Sequence, residues 1–325
     1  MEIFHSRDIS MDSFLVTGGA GFIGGHIAEY LLKNGAKKVR VLDNMVNGFE
    51  TNLDVLRNYP AFEFIEGDIR NADTCLKACT GIDYVNHQAA LGSVPRSIKE
   101  PVYFNEVNVN GFTNILKAAV DNNVKQLVYA SSSSVYGDEP TLPKQEDRIG
   151  NCLSPYAATK RTNELYAQVF ADVYGLKLMG FRYFNIFGPR QDPDGPYAAV
   201  IPLFVKCIMA NQPPYINGDG EQTRDFTYVD NAVQVNIKGM LGENPDALKK
   251  VYNVAVGEYY SVNYLYHACR EYLGSELAPV YREPRAGDIR NSLADISLAR
   301  KLLGYEPTKK FEDGLKETID FFKHK

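Results

Sequence analysis

Residues 14–43 read FLVTGGAGFIGGHIAEYLLKNGAKKVRVLD and decide the fold. Residues 14–16 form a short apolar run that predicts a strand, and a glycine-rich turn follows directly. The amphipathic stretch after the turn predicts a helix that ends at Asn34-Gly35, because glycine commonly ends a helix. Residues 39–43 then predict a second strand. A strand, a tight turn, a helix and a strand within about thirty residues form a βαβ unit.

The turn in this unit carries three regularly spaced glycines, Gly18, Gly21 and Gly24, at the start of the predicted helix. Glycines at these places permit a tight turn, let the backbone approach a pyrophosphate and allow the helix to pack closely on the strand. The phosphates would meet unpaired N–H groups at the positive end of that helix. The pattern therefore predicts a dinucleotide site.

A carboxylate, Asp43, ends the second strand nineteen residues after Gly24. In dinucleotide-binding units a carboxylate at this place takes the adenosine ribose hydroxyls. Asn44 follows it, not Arg or Lys, and a carboxylate repels a 2′-phosphate, so the sequence favours NAD over NADP. The alternative is that Asp43 only caps a turn.

Strand and helix patterns alternate along the first half of the chain. Further strands are predicted at Phe62–Ile65, Tyr84–Asn86, 126–130 and Lys177–Tyr183. Further helices are predicted at Asp73–Cys79, at a stretch that ends near Asp121, and at Tyr156–Tyr174. Repeated alternation predicts a parallel sheet covered on both faces, that is, a doubly wound α/β fold of the Rossmann type.

The composition changes after Asn185, where loop-forming Gly, Pro, Asp and Asn become frequent. Asp230–Met240 predicts a helix and Val251–Val254 a strand, so we expect the chain to return to the sheet. The expected division is an amino-terminal extension at 1–12, a dinucleotide-binding domain at 13–185 with 228–256, and a smaller interwoven α/β lobe at 186–227 with 257–325.

The composition also excludes several classes of protein. The 325 residues are 45% apolar and 23% charged, which rules out a disordered chain or a disulfide scaffold. The formal net charge of −5 disfavours a nucleic-acid partner, since general polyanion binders are basic. No run reaches the roughly eighteen apolar residues of a membrane span, and we see no signal-peptide pattern. We expect a cytoplasmic protein whose five cysteines are packed free thiols.

Tyr156 and Lys160 lie four residues apart on a predicted helix and therefore share a face. A nearby ammonium and a cationic nicotinamide ring would lower the pKa of the phenol from about 10. The phenolate could then take a proton from a sugar hydroxyl as hydride leaves the same carbon. The alternative is a solvated pair on the helix surface. Ser131–Ser134 ends a predicted strand and favours a site, because ligands bind beyond the carboxyl ends of such strands.

Together these segments resemble the extended short-chain dehydrogenase/reductase superfamily, and within it the NAD-dependent UDP-hexose 4-epimerases. The resemblance runs from about Phe14 to the end of the chain. It covers the glycine loop, Asp43, residues 67–69 (GDI), 87–90 (HQAA), 131–137 (SSSSVYG), Tyr156 with Lys160, and 182–185 (RYFN). Residues 91–97, 190–202, 216–226 and 285–295 are more specifically similar to bacterial UDP-N-acetylhexosamine 4-epimerases.

The resemblance implies three catalytic residues, namely the base Tyr156, its modulator Lys160 and Ser132. It implies that NAD is bound by Gly18, Gly21, Phe22, Ile23, Gly24, Asp43, Asn44, Asp68, Ile69, Gln88, Ala89, Ala90, Asn108, Ser131, Tyr156, Lys160 and Tyr183. It implies that a UDP-sugar is bound by Gly92, Ser132, Ser133, Ser134, Tyr156, Asn185, Ala199, Val200, Tyr215, Asn217, Arg224, Arg285, Asp288 and Ser292. Arg224 and Arg285 match two arginines that hold the diphosphate. The histidines show no metal-ligand spacing, and we expect no metal.

The same resemblance narrows the reaction. Related dehydratases of nucleotide sugars carry an acidic pair just after the catalytic hydroxyl residue, where this chain has Ser133 and Ser134, which favours epimerisation. A bulky residue at the place of Ser292 restricts relatives to unsubstituted hexoses, so the small Ser292 implies room for an N-acetyl group. We therefore expect 4-epimerisation between UDP-N-acetylglucosamine and UDP-N-acetylgalactosamine through a 4-keto intermediate. UDP-glucose or UDP-uronic acid 4-epimerisation and UDP-uronate decarboxylation remain alternatives.

Two further expectations follow from the family. Helices Pro101–Asp121 and Pro155–Tyr174 could pair with their copies as a four-helix bundle and form a homodimer, although the sheet could also use up their apolar faces. The alternative to an enzyme is an NAD-binding sensor without catalytic activity, as some members of the superfamily are. Such members usually lack the Tyr–Lys pair or the serine, and this chain keeps all three.

Overall fold

The structure is a computed structural model that describes residues 2–194, 198–284 and 290–324. In chain order, the strands of these residues are β1 (Ser13–Thr17), β2 (Lys38–Asp43), β3 (Phe62–Glu66), β4 (Tyr84–His87), β5 (Gln126–Ser132), β6 (Leu178–Tyr183), β7 (Ile186–Phe187), β8 (Tyr215–Asn217), β9 (Thr223–Arg224), β10 (Thr227–Tyr228), β11 (Lys250–Val254), β12 (Tyr260–Ser261) and β13 (Val280–Arg282).

Seven of these strands form one parallel sheet in the order β11-β6-β5-β4-β1-β2-β3. The direction of winding reverses between β1 and β4, which is the order of the doubly wound dinucleotide-binding fold. The fold class expected from the alternation of strands and helices is therefore confirmed. Three two-stranded pairs, β7 with β10, β8 with β13 and β9 with β12, lie outside this sheet.

The helices of the described residues are α1 (Phe22–Lys33), α2 (Glu50–Leu56), α3 (Ala72–Cys79), α4 (Val94–Lys99), α5 (Pro101–Asn105), α6 (Gly111–Asp121), α7 (Pro155–Val173), α8 (Val200–Met209), α9 (Val229–Leu241), α10 (Val262–Tyr272), α11 (Ser297–Leu303) and α12 (Phe311–Lys323). A π-helical turn at Glu106–Asn110 joins α5 to α6, so the single regular helix expected over Pro101–Asp121 is wrong in its middle. Among the helices of the described ranges, none combines the length and the apolar character that crossing a membrane requires.

Apolar side chains cover both faces of the main sheet. β1 is buried along its whole length, and its alternate residues point to opposite faces. Phe14 and Val16 pack in a cluster with α1 and α9, whereas Leu15 packs with α3 and α6. Burial on both faces explains why the strands of this sheet are so apolar.

The chain leaves the sheet after β6 and returns to it at β11. This last strand pairs in parallel with β6, from Lys250 opposite Met179 to Val254 opposite Tyr183. The predicted helix and strand of this return are thus present as α9 and β11. A third apolar cluster joins α8, α10 and α12 outside the sheet. The division into domains at the stated residues stays a prediction.

The amino-terminal extension packs on the body of the chain. The Phe4 ring stacks on Tyr30 of α1 with a centroid distance of 5.4 Å, and the backbone N–H of Phe4 donates to the Tyr30 hydroxyl. Ile9 is buried. Residues 2–12 are therefore part of the packed structure.

Candidate active site

A cavity of about 380 Å³ opens at the carboxyl ends of the sheet strands, next to the point where the winding reverses. Most residues predicted to hold NAD line this cavity, namely Gly18, Gly21, Phe22, Ile23, Gly24, Asp43, Asn44, Ile69, Gln88, Ala89, Ala90, Ser131, Tyr156, Lys160 and Tyr183. Ligands of doubly wound sheets bind in the crevice at this place. The fold thus gathers residues that are far apart in sequence into one site.

The glycine loop leaves the first turn of α1 open. Gly18 has a φ of 71°, which glycine adopts without strain. A Cβ at Gly24 would lie 2.3 Å from the carbonyl oxygen of Gly18, so only glycine permits this close approach. No side chain caps the helix at Gly21. Because uncapped N–H groups at a helix start bind phosphate, this loop fits the pyrophosphate of a dinucleotide.

Asp43 lies at the end of β2 with its side chain largely buried. Its Oδ2 accepts a hydrogen bond from the backbone N–H of Ala20 at 3.0 Å, and its Oδ1 accepts one from Met45 at 2.9 Å. Burial raises the pKa of the Asp43 carboxyl, against the effect of these donors. The residue therefore caps a turn and also lines the cavity, and each oxygen keeps capacity to accept a ribose hydroxyl.

Asp68 and Asn108 do not line the cavity. Asp68 pairs with the Arg70 guanidinium at 2.8 Å and accepts from the Asn44 amide at 3.0 Å. The Asn108 amide is buried and exchanges hydrogen bonds of 2.8 and 3.1 Å with the backbone of Leu91. These polar atoms are thus bonded within the protein, and the direct NAD contacts implied for both residues stay predictions. The two residues hold in place Asn44 and Leu91, which do line the cavity.

The Tyr156–Lys160 turn of α7 faces the end of β5. The Ser132 side chain acts on the Tyr156 phenol and lowers its pKa, and Lys160 Nζ donates to the carbonyl of Ala130 at 2.8 Å. Ser132 Oγ also accepts from the backbone N–H of Ser134 at 3.1 Å. A hydroxyl whose oxygen already accepts has its single proton left to donate. The Ser132 proton is therefore directed at Tyr156 or at a substrate oxygen beside it.

The start of α7 fixes the position of the Tyr156–Lys160 turn. Ser154 precedes the helix and its side chain accepts from the N–H of Ala157, while Pro155 takes the first helical position. Both features are typical of helix starts. The predicted start at Pro155 is present, and Tyr156 consequently sits in the first turn, at the mouth of the cavity.

Burial dominates the electrostatics of the pair. Lys160 is 2% exposed, and burial lowers the pKa of its ammonium to about 8. Burial also raises the pKa of the Tyr156 phenol, and the hydrogen bond from Ser132 opposes this only in part. The lowered phenol pKa predicted from the sequence depends also on a cationic nicotinamide ring, and the protein's own groups do not produce it, since removal from water disfavours the phenolate. An anionic Tyr156 therefore requires further positive charge beside it.

Three predicted substrate residues lie on neighbouring backbone segments beyond the sheet edge. Asn185 has a φ of 38°, and its amide donates to the carbonyl of Asp225 at 3.0 Å. The N–H of Ser292 donates to the carbonyl of Thr223 at 3.2 Å. Thr223 precedes Arg224 on β9, so the backbone brings the residues predicted for the diphosphate and for the sugar side by side.

The loop between Ser132 and Tyr156 is tied to the same region. Lys144 forms a parallel bridge with Ala294, and its N–H donates to the carbonyl of Leu293 at 2.8 Å. Leu293 and Ala294 directly follow Ser292. The segment expected to set substrate specificity is therefore anchored to the loop that connects the two catalytic hydroxyl residues.

The serine run continues past the catalytic position as a 3-10 turn over Ser133–Tyr136. The Ser134 hydroxyl is buried and has no hydrogen-bond partner within the described residues. Gly92, on the other side, lines the cavity. Small residues thus occupy these two of the places where the resemblance implies contacts with the UDP-sugar.

The remaining predicted substrate residues lie further along the chain. Ala199 and Val200 are at the start of α8, and Tyr215 and Asn217 are on β8. The Arg282 guanidinium stacks over the Tyr215 ring. No hydrogen bond connects these four to the Tyr156–Lys160 turn in the described ranges. Arg285 and Asp288 lie outside the described residues.

The structure also adds residues to the site that sequence reasoning missed. Tyr103 on α5 and Val107 in the π-helical turn line the cavity. Glu164, one turn after Lys160, accepts a hydrogen bond from Ser131 at 2.7 Å. The spacing of Lys160 and Glu164 on one helix face is the sequence pattern that indicates Glu164. No pattern in the sequence indicates Tyr103 and Val107.

A doubly wound sheet with an uncapped glycine loop, a carboxylate after β2 and a Tyr–Lys turn beside a serine defines a nicotinamide-dinucleotide enzyme of the short-chain dehydrogenase/reductase type. Residues 14–255 match the model of the NAD dependent epimerase/dehydratase family. This chain belongs to that family. The family and the cofactor expected from the sequence are thereby confirmed.

Several proteins are similar to this chain over almost its whole length. The UDP-glucose 4-epimerase of Mycolicibacterium smegmatis is 36% identical over 96% of this chain and 98% of its own. The structure of UDP-N-acetylglucosamine 4-epimerase from Methanobrevibacter ruminantium M1 in complex with UDP-N-acetylmuramic acid is 40% identical, with a TM-score of 0.90 over 96% and 98% of the two chains.

A third similar protein is the UDP-glucuronic acid 4-epimerase from Bacillus cereus, solved with UDP-glucuronic acid and NAD. It is 31% identical, with a TM-score of 0.90 over 96% of this chain and 99% of that one. All three are epimerases and hence isomerases, the class of enzyme expected from the sequence. The three names give different sugars for the UDP-sugar substrate, namely glucose, N-acetylglucosamine and glucuronic acid.

Proposed function

We propose that this chain is a UDP-sugar 4-epimerase that interconverts UDP-N-acetylglucosamine and UDP-N-acetylgalactosamine through a 4-keto sugar. The observation that carries the proposal is that Tyr156 and Lys160 line the same cavity as the open glycine loop, with Ser132 at the end of β5 beside Tyr156. The similar epimerase from Methanobrevibacter ruminantium, 40% identical, supports this choice of substrate.

The residues present fit NAD, which when bound supplies a hydride acceptor that is regenerated in each cycle. The open first turn of α1 would hold the pyrophosphate, and Asp43 would hold the adenosine ribose. Lys160, which lines the cavity, would hydrogen-bond the nicotinamide ribose. An aspartate at this place excludes a 2′-phosphate by charge, so NADP is the poorer ligand.

Tyr156 acts as the base in the proposed reaction. Its Oη takes the proton from the sugar O4 as C4 is oxidised, and gives a proton back to O4 after the keto sugar has turned in the site. Ser132 donates its hydroxyl proton to the reacting oxygen, an orientation supported by the bond that its Oγ accepts from Ser134. The Lys160 ammonium stabilises the phenolate. A positioned acid–base group of this kind contributes about 10²–10⁴-fold to a rate.

The residues beside Ser132 favour epimerisation over elimination. Loss of water from a sugar needs an acid for the leaving hydroxyl and a base for the carbon proton. Ser133 and Ser134 stand where related dehydratases have acidic residues, and a hydroxyl is too weak an acid for this task. The 4-keto sugar would therefore be reduced again without loss of water.

The sugar must turn while its nucleotide stays bound. Arg224 on β9 is proposed to hold the diphosphate, because the planar guanidinium is always charged and binds phosphate oxygens in pairs. Arg285 and Asp288, proposed as its companions, lie outside the described residues. Permanently charged donors are needed for a dianionic group in a chain of net charge −5.

Substrate choice is proposed to depend on space beside C2. Ser292 and Gly92 are small and leave room for an N-acetyl group. A UDP-uronic acid is the second candidate, because the unpartnered Ser134 hydroxyl could bind a sugar carboxylate and a UDP-glucuronic acid 4-epimerase is among the similar structures.

Chromatography of the products from a panel of UDP-sugars, run without added NAD, tests the proposal. We expect UDP-N-acetylglucosamine to give UDP-N-acetylgalactosamine, and the reverse, with no net oxidation. Tyr156→Phe is the control for contaminating epimerase. Faster turnover of UDP-glucuronic acid would transfer the proposal to the second candidate, and a dehydrated or decarboxylated product would overturn 4-epimerisation.

We also propose a homodimer through α5 and α7. Large apolar side chains are exposed on neighbouring helices, namely Ile98, Val102, Leu165, Val169 and Val173. Contiguous exposed apolar residues mark interaction surfaces. Val102→Glu should convert a dimer to a monomer in sedimentation velocity, whereas Val280→Glu, an exposed apolar site on β13, should not. A wild-type monomer at micromolar concentration would contradict the dimer.

A further inference from the structure

Three successive residues at the end of β5 are each bonded to a different turn of α7. Ser132 bonds the hydroxyl of Tyr156, the carbonyl of Ala130 accepts from Lys160, and Ser131 Oγ donates to Glu164 Oε1 at 2.7 Å. Tyr156, Lys160 and Glu164 follow each other at intervals of four residues, on one face of the helix. The first two contacts belong to the proposed catalytic groups, and the third holds the same strand end from one turn further along.

Glu164 is a buried carboxylate with a full set of partners. Its side chain and that of Arg182 on β6 are each 2% exposed, and the guanidinium binds both carboxylate oxygens at 2.8 and 2.9 Å. Arg161 adds a bond of 2.8 Å. Burial opposes ionisation, but the bonds from Arg182 outweigh it and lower the pKa of Glu164. A negative charge is thus fixed one turn from Lys160.

Among the residues that the structure describes, the other titratable groups at the ends of β4 and β5 and on α7 do not supply negative charge near Lys160. His87, at the end of β4, bonds Thr17 at 2.8 Å, and burial lowers its pKa to about 3, so its imidazole is neutral. On β5, burial raises the pKa of Tyr129 far above its usual range. Tyr156 on the same helix is also a neutral phenol in this structure. The positive charges of Arg182 and Arg161 face Glu164.

We propose that Glu164 is a positioning residue for the reaction, which clamps the end of β5 against α7 through Ser131 and supplies the negative charge that keeps Lys160 cationic. The inference rests on the proposed function for its catalytic meaning. Without Glu164, the buried ammonium of Lys160 would lose the carboxylate that lies one turn away on the same helix. Burial already lowers the pKa of Lys160 to about 8, and the charge of Glu164 raises it.

Two variants separate the clamp from the charge. Ser131→Ala removes the hydrogen bond to Glu164 and leaves the carboxylate with Arg182. Glu164→Gln keeps an oxygen that can accept from Ser131 and removes the charge. Glu63→Gln is the matched control, because it also removes a carboxylate, at 3.1 Å, from the buried guanidinium of Arg40, but on the amino-terminal half of β3.

Two measurements are made on each purified enzyme, namely the pH dependence of kcat and the NMR titration of the Lys160 side chain, assigned with Lys160→Met. Glu164→Gln should move both the basic limb of kcat and the lysine titration to lower pH by about one unit, as expected for loss of one nearby opposite charge. Ser131→Ala should lower kcat by about tenfold without moving the titration, because a displaced catalytic group loses rate and not charge. Glu63→Gln should change neither.

An unchanged lysine titration in Glu164→Gln would overturn the inference, since a merely structural carboxylate would leave it in place. If the single variant does not fold, Glu164→Gln with Arg182→Gln removes both buried charges, and the same downward shift is expected because Glu164, and not Arg182, is the charge that raises the pKa of Lys160. The lysine titration needs no turnover. A wild type without epimerase activity would therefore overturn the proposed function while the titration still decides what Glu164 does.

Discussion

Replacing Gly24 by alanine tests the dinucleotide loop through one contact. The added Cβ would lie 2.3 Å from the carbonyl oxygen of Gly18, 2.9 Å from its carbonyl carbon and 3.0 Å from Cα of Gly19. All three are backbone atoms, so no change of rotamer relieves the overlap, and the loop must move by about 1 Å to restore ordinary contact. At Gly25, one residue later in the same helix, the nearest such atom is 3.3 Å away.

The two variants should therefore differ in sign. Overpacking costs about 1–3 kcal/mol, whereas exchange of glycine for alanine inside a helix gains about 0.5–1 kcal/mol. We expect Gly24→Ala to lower the free energy of unfolding by about 1–2 kcal/mol and Gly25→Ala to leave it unchanged or raise it. Because the displaced loop is the one that fits the pyrophosphate, the affinity of Gly24→Ala for NAD should fall by at least about tenfold, or about 1.4 kcal/mol.

The assay is the NAD retained per chain after purification, measured beside thermal unfolding of both variants. Gly25→Ala controls for the general effect of alanine in α1. If Gly24→Ala kept a full complement of NAD and melted at or above the wild-type temperature, the close approach of α1 to the loop could not be what this glycine provides.

Three further predictions concern the chemistry of the site. Tyr156→Phe should retain NAD and lower kcat by about 10²–10⁴-fold in the product assay, and a loss of less than tenfold would reject Tyr156 as the base. Ser292→Tyr should reduce turnover of UDP-N-acetylglucosamine far more than that of UDP-glucose, and equal losses would remove Ser292 from the account of specificity. Burial depresses the pKa of Lys160 from 10.5 to about 8, so the unfolded chain binds more protons than the folded one in this window, and wild-type stability rises with pH across it. Lys160→Met lacks this gain, so its Tm relative to wild type should fall between about pH 7 and about pH 10, and a constant difference would contradict a buried ammonium.

The parts of the molecule that follow from local patterns could be predicted from the sequence. The glycine loop, α1 and the strands beside it depend on residues within one βαβ unit, and the structure has them within a residue or two of the expected bounds. The start of α7 is marked by Ser154 and Pro155, which act through contacts three residues away. A cytoplasmic location and the dimer stay predictions.

Other features depend on contacts between distant segments, which spacing cannot show. The bonds of the Asn108 amide with Leu91, on the loop after β4, are one example, and its cofactor contact stays a prediction. The lowered pKa expected for Tyr156 depends on the charges of Lys160 and of a nicotinamide ring, and the burial of the phenol, which acts in the opposite direction, is not visible in the sequence. The π-helical turn within Pro101–Asp121 has no signature in the apolar periodicity, because one extra residue in a turn hardly changes it.

The return of the chain to the sheet at β11 has a consequence for how such enzymes can be recombined. β6 is an interior strand only because β11 covers its outer edge, and more than sixty residues separate these two strands along the chain. A fragment that stopped at Asn185 would expose a row of unpaired backbone groups along β6, which is a template for aggregation. To exchange the sugar preference of two homologues, loops must therefore be swapped within one continuous fold, because neither half of the chain would be stable as a separate domain.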